Sequence, residues 1–131
     1  MFCMDQETAP TPELVTDVFA RACPSRATFE DVTSKWASLV LIALGEGPYR
    51  FGELRRKVQG VSEKMLSQSL RSLERNGMVT RTAQGTVPPR VDYELTALGA
   101  KVSQNMRALA DVLEGAVPEV VHARERYGHD A

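Results

Sequence analysis

The chain has 131 residues, 43% of them hydrophobic and 25% charged, with a formal net charge of −1. That suits one soluble domain with a real core and excludes collagenous, disordered and disulfide-stapled classes. The longest apolar run, Trp36 to Leu44, is about half of the roughly 20 residues a bilayer span needs, so no membrane partner is expected.

Residues 1–10 read as a disordered leader, with acids where a signal peptide needs positive charge, which makes a cytoplasmic location the expectation. Thr11 can cap a helix over 11–22 that starts with Pro12 and carries Leu14, Val15, Val18 and Phe19 as one apolar stripe. Cys23-Pro24-Ser25 breaks it, and a second helix is expected around Thr28–Ser34. A third, near Trp36–Leu44, is apolar almost all round and belongs at the centre of the domain. Gly45-Glu46-Gly47-Pro48 stops it.

A short helix over about Phe51–Val58 follows, with Phe51, Leu54 and Val58 inward, then a tight connection at Gln59-Gly60-Val61. Ser62 is an N-cap, with Glu63 complementing the dipole, for a helix running to Asn76-Gly77. Met78–Ala83 and Arg90–Leu95 read as two strands joined by a loop that Pro88-Pro89 keeps out of the ladder. Thr96 caps a long last helix with Leu98, Val102, Met106, Leu109 and Leu113 on one side, and Pro118 is expected to end or kink it.

Charge is unevenly spread along these elements. Residues 50–90 hold nine basic and three acidic side chains, a net of +6, whereas 1–49 and 91–131 carry −4 and −3. A basic segment in an acidic frame is the footprint of a nucleic-acid-binding surface. With Leu66, Leu70 and Leu73 inward, Lys64, Gln68, Arg71 and Arg75 fall on the opposite side of their helix, with Ser67 on the flank and Ser62 at its start also expected at the DNA surface. Arg and Gln can each make paired hydrogen bonds to purine edges, while Lys and Ser suit phosphates. Such a row also fits a plain solvated helix face. The preceding short helix and Gly-containing turn make a helix-turn-helix, and the strand–loop–strand makes a wing, which together favour DNA. The wing would lay Arg81, Gln84, Thr86 or Arg90 on the duplex, and Arg55 and Arg56 of the first helix, with Arg50 just ahead of it, would meet phosphates.

These segments closely resemble the HxlR family of bacterial winged helix-turn-helix transcription regulators. The resemblance runs from Cys23 to Leu98 and is carried by Cys23-Pro24, Lys35-Trp36, Arg50 to Arg56, Val61 to Gln68, Leu70 to Glu74, Asn76 to Val79 and Val87 to Gly99. Two departures lie away from the DNA face: Ser38 interrupts the aliphatic run, and Thr33-Ser34 replaces a Gly-rich approach to Lys35-Trp36. The resemblance implies a mainly α fold with a small antiparallel β-hairpin wing, and a homodimer binding palindromic double-stranded DNA. On that reading residues 23–98 form the winged helix-turn-helix domain, and 99–131 form a helical dimerisation segment. A dimer role for 11–22 is inferred beside it. Some family members respond to oxidants or electrophiles through a cysteine at the position of Cys23, so such a signal, or a small molecule, is an expected effector. Arg21, Arg26 and a following helix start would favour a thiolate there; a packed, inert thiol is the other reading.

No cofactor or metal is expected, since Cys3, Cys23, His122 and His129 have no ligand-type spacing. The carboxylate pairs Asp92/Glu94 and Asp111/Glu114 lack an acid–base partner, so the chain is not read as an enzyme. Trp36, Tyr49 and Tyr93 read as core before ligand cavity. The competing reading is a winged-helix module whose basic face meets an acidic protein.

Overall fold

The computed structural model describes residues 17–85 and 87–130. Among these residues six helices and three strands follow one another: α1 Pro24–Val32, α2 Lys35–Leu44, β1 Tyr49–Arg50, α3 Phe51–Lys57, α4 Glu63–Arg75, β2 Val79–Gln84, β3 Arg90–Leu95, α5 Ala97–Gly115 and α6 Val117–Asp130.

The N-terminal expectation needs correction where it can be compared. Residues 1–16 lie outside the described residues, and 17–22 form turns instead of helix. The Asp17 carboxylate accepts the Phe19 amide at 3.0 Å and its carbonyl accepts the Ala20 amide at 3.1 Å. A carboxylate that captures the amide two residues on stabilises a turn against a helix. The helix expected at Thr28–Ser34 begins four residues earlier. Pro24 is its first residue and Cys23, extended ahead of it, is the N-cap. Pro24 opens the helix instead of breaking the chain, because its fixed φ and missing N–H suit a first helical position. At the other end the Thr33 and Ser34 hydroxyls bond the Phe29 and Asp31 carbonyls, which closes α1.

The core forms around α2, where Ala37, Val40, Leu41, Ala43 and Leu44 are buried. Ser38, on the rim of this helix, returns its hydroxyl to the Ser34 carbonyl at 2.9 Å and so brings no unsatisfied group to the apolar run. Leu54 and Val58 of the α3 region, Leu66, Leu70 and Leu73 of α4, Met78 just ahead of β2, and Val79 and Tyr93 of the sheet close over α2. From α5 the buried Ser103 donates to the Leu41 carbonyl at 2.6 Å.

The sheet has three antiparallel strands in the order β1-β3-β2, one more than expected. Tyr49 pairs with Tyr93 and Arg50 with Asp92. A two-residue strand leaves no alternation to read in sequence. Between β2 and β3 the register runs from Val79 opposite Leu95 to Gln84 opposite Arg90.

Helix α4 ends as its Asn-Gly pair predicts. The Met78 amide reaches the Leu73 carbonyl and the Gly77 amide the Glu74 carbonyl, with Gly77 at φ +73°. This double closure requires the left-handed conformation that glycine adopts without strain. The long last helix is broken into α5 and α6 at Ala116, two residues ahead of Pro118. A proline ring excludes the carbonyl four residues before it, so the break precedes the proline, which then fits the first turn of α6.

Candidate nucleic-acid interface

Helix α4 is held by its leucines and by its cap. Leu66, Leu70 and Leu73 are buried together with Ser69, and the Ser62 hydroxyl accepts the Met65 amide at 3.1 Å. Ser62, expected at the DNA surface, thus spends its hydroxyl on the cap. On the outer side Lys64, Gln68 and Arg71 are exposed and Ser67 half-buried, as the 100° geometry requires. Arg71 lies 3.4 Å from the Ser67 hydroxyl one turn back, an orientation that keeps the guanidinium along the helix surface. Phe51, Glu63, Lys64, Ser67 and Arg71 line one shallow depression where α3 meets α4.

Arg75 departs from this row. It remains exposed, but its guanidinium reaches toward Asp31 of α1 at 3.7 Å and to Ser72 at 3.4 Å. The 100° projection places Cα–Cβ vectors and cannot anticipate an acid supplied by another helix.

On α3 the Glu53 carboxylate accepts the Arg50 amide at 2.8 Å and fixes the helix start. Arg55 pairs with Glu63 at 3.4 Å and Lys57 with Glu46 at 3.1 Å. Among the described residues, Arg50, Arg56, Lys64, Arg71 and Arg81 have no carboxylate within ion-pair distance. Glu46 joins Lys57 to Tyr49, whose hydroxyl donates to the same carboxylate oxygen at 2.6 Å. The Tyr49 hydrogen bond, and then Lys57, hold Glu46 below the usual carboxylate range, and the bonds to Glu46 raise Tyr49 and Lys57.

In the wing, Arg81 is exposed, and Thr86 lies outside the described residues. Gln84 and Arg90 are exposed as well, but both are engaged by Asp92: Gln84 donates to it at 2.8 Å and Arg90 sits 3.3 Å from its other oxygen. Asp92 is a residue the sequence reading did not connect to the wing. Its place opposite Thr82 and two positions from the Arg90–Gln84 pair, on the same face of the sheet, becomes visible only once the strand register is known.

Cys23 is 1% exposed, with its sulfur 3.2 Å from the Ser25 hydroxyl. Arg26, expected beside the thiol, turns to Glu30 at 2.8 Å and to the Phe19 carbonyl at 3.2 Å. Of the aromatic residues, Tyr93 is buried and Trp36 and Tyr49 pack on the core edge. Among the described residues no cluster of metal-ligating side chains forms, and no helix is long and apolar enough to cross a membrane.

A second, apolar surface lies alongside α1. Between α1 and α5 runs an apolar groove of about 680 Å³, lined by residues that include Phe29, Val32, Met78, Leu98, Val102 and Leu109. Leu109 at its rim and Leu113 beyond it are 56% and 53% exposed, with Val112, Val117 and Val121 also open to solvent.

This geometry has close counterparts. The family model for the HxlR-like helix-turn-helix matches residues 31–120. The uncharacterized HTH-type transcriptional regulator YtfH of Escherichia coli (strain K12) is 52% identical over 109 residues, 83% of this chain and 86% of that protein. Among solved structures, the putative transcriptional regulator ytfH from Salmonella typhimurium superposes with a TM-score of 0.76 at 51% identity, covering 82% of this chain and 96% of its own. The redox regulator HypR in its oxidized form is similar at 31% identity and a TM-score of 0.65, over 71% and 96% of the two chains. With the model matched over most of its length, this chain belongs to the HxlR family of winged helix-turn-helix transcriptional regulators, a family of regulators and not of enzymes.

Proposed function

We propose that the chain is a dimeric, sequence-specific regulator that reads a palindromic operator in double-stranded DNA with α4 and steadies it with the 84–90 wing. The observation that carries this reading is the exposed row Lys64, Gln68 and Arg71 above a floor of buried leucines, with the cations Arg50, at the start of the preceding helix, and Arg56, within it, free of acid partners among the described residues. In this arrangement Gln68 and Arg71 meet base edges, and Arg56, Lys64 and Ser67 meet phosphate. Arg55, Arg75, Gln84 and Arg90 are contacts of a second kind, each exchanging an acid or neighbour it already holds for phosphate. Two copies joined along the apolar face of α5 and α6 would set their α4 helices about 34 Å apart, one turn of the duplex. The proposed place of action is the cytoplasm, with the DNA.

The test is a mobility shift at graded salt, using duplexes that the protein itself selects from a random pool. A specific complex that survives at about 0.15 M salt supports the reading. Binding without any selected sequence, with a protein partner captured in its place, favours an interaction module.

The signal we propose is an oxidant or electrophile acting at Cys23. Two observations support it: the thiol stands at the N-cap of α1, and HypR, a similar structure, is a redox regulator. Diamide should release the complex in a manner that dithiothreitol reverses and Cys23→Ser abolishes. Release that persists in Cys23→Ser would assign the effect elsewhere.

A further inference from the structure

Helix α1 is weakly anchored by apolar contact, since Val32 is its one buried residue. What ties it to α4 is a polar cluster spanning more than forty residues of sequence. The Thr28 hydroxyl donates to Asn76 Oδ1 at 3.2 Å, and Asn76 Nδ2 donates to Asp31 Oδ2 at 2.9 Å. The same Nδ2 donates to the Ser72 carbonyl at 2.8 Å, so the amide also closes the last turn of α4. Arg75 adds its guanidinium 3.7 Å from Asp31. Asn76 thus uses both amide hydrogens and its oxygen, a combination of donor and acceptor that neither aspartate nor an apolar residue reproduces.

Thr28 has a second neighbourhood. It lines the apolar groove together with Phe29, Val32 and Met78. One side chain therefore touches the groove on one side and the end of α4 on the other.

We propose that Thr28, Asp31 and Asn76 are positioning residues for DNA reading. They fix the pitch of α4 relative to α1 and carry any shift of α1 to the reading face. This rests on the reading that α4 contacts bases. Hydrogen bonds are directional and short-ranged, so the two that cross from α1 to Asn76 between half-buried groups define an orientation that one buried valine does not. Losing the clasp lets α4 tilt, which disturbs base contacts more than phosphate contacts, because bases are read over shorter and more angular bonds.

The test uses the full chain and two duplexes of equal length, one selected by the wild-type protein and one unrelated. Thr28→Val, which keeps the shape and removes the hydroxyl, and Asp31→Ala should each lower the ratio of selected to unrelated affinity about tenfold. Binding to the unrelated duplex should stay within about twofold of wild type. Thr28→Ser should keep the wild-type ratio. Hydrogen–deuterium exchange of residues 73–77 in the free protein should quicken in Thr28→Val and not in Thr28→Ser. An unchanged ratio, equal losses on both duplexes, or a Thr28→Ser variant that behaves like Thr28→Val would overturn the proposal. Arg71→Ala serves as the control for the underlying reading. If the wild-type chain selects no sequence, that reading fails and the positioning role fails with it, while the exchange data still decide whether the clasp holds α4. Should Asp31→Ala not fold, Thr28→Val and Thr28→Ser decide alone.

Discussion

Gly99, in the first turn of α5, lies against the Met78 carbonyl so closely that a Cβ at this position would overlap the carbonyl oxygen and press on the Leu95 side chain. Around this contact the Thr96 hydroxyl donates to the Gly77 carbonyl at 2.7 Å and accepts the Gly99 amide at 3.0 Å. The end of α4, the start of β2 and the start of α5 meet here, backbone against backbone. Gly99→Ala should therefore destabilise the fold by about 1–3 kcal/mol, toward the upper end because no flexible side chain can yield. Gly115→Ala, which meets open space, should be neutral or stabilising by up to about 1 kcal/mol. Urea unfolding of the two variants compares them directly, and equal midpoints would contradict the packing argument.

Arg71 and Arg56 are both exposed cations, yet they should fail in different ways. Arg71→Ala should cost about 1–3 kcal/mol on the selected duplex and relax the preference at one base pair. Arg56→Ala should weaken binding to every duplex and lower the slope of log K against log salt by about 1. Anisotropy titrations at three salt concentrations resolve the two patterns. Uniform loss for Arg71→Ala would mark it as a phosphate contact.

The Glu46–Tyr49–Lys57 trio predicts how stability depends on pH. Glu46 is held below its ordinary value of 4.5 by the Tyr49 hydroxyl first and Lys57 second, so its contribution is present above that value and is lost as pH falls through the lowered one. Tyr49 and Lys57 are raised above 10.0 and 10.5, so theirs is present below those values and lost as pH rises beyond them. Thermal melts from pH 3 to 7 should show Glu46→Gln less stable than wild type at neutral pH, with the two curves merging at the acid end. All three groups face solvent, so the difference is small and shrinks further in salt. A gap that widens toward pH 3 would contradict the assignment.

The elements legible in the sequence were those whose signals are local. Ser62, Thr96 and Gly77 mark helix ends through one side chain or one φ angle, and each acts where expected. The leucine spacing of α4 placed Lys64, Gln68 and Arg71 outward because a helix fixes its own faces. What stayed hidden depends on a second element. Arg75 meets Asp31 across 44 positions, and Gln84 meets Asp92 only through strand register. β1 is too short to show a period, and Pro24 looked like a stop because a proline reads alike at the end of one helix and the start of the next. Cys23 was read from charged neighbours in sequence, but Arg26 points to Glu30.

The apolar face of α5 yields the last prediction. Leu109 and Leu113 lie one helical turn apart, more than half exposed, on the α5 flank that continues the apolar groove. Exposed leucines at this spacing, continued by Val117 and Val121 in α6, are what a helix offers to another helix. In a two-fold interface each position occurs twice, so a single substitution removes two contacts. Burying a leucine contributes about 1.5–3 kcal/mol, and a buried unpaired carboxylate adds a further penalty, so Leu113→Glu should weaken a dimer on the order of a hundredfold or more. The side chain already faces solvent in the single chain, which predicts an unchanged circular dichroism spectrum for the variant. Sedimentation equilibrium should give the mass of two chains for the wild type and of one for Leu113→Glu at the same micromolar loading. Affinity for the full palindrome should fall with it, while weak binding to an isolated half-site persists. A variant that still sediments as two chains would move the interface off this face, and the spacing of the α4 helices would then have to be set by another contact.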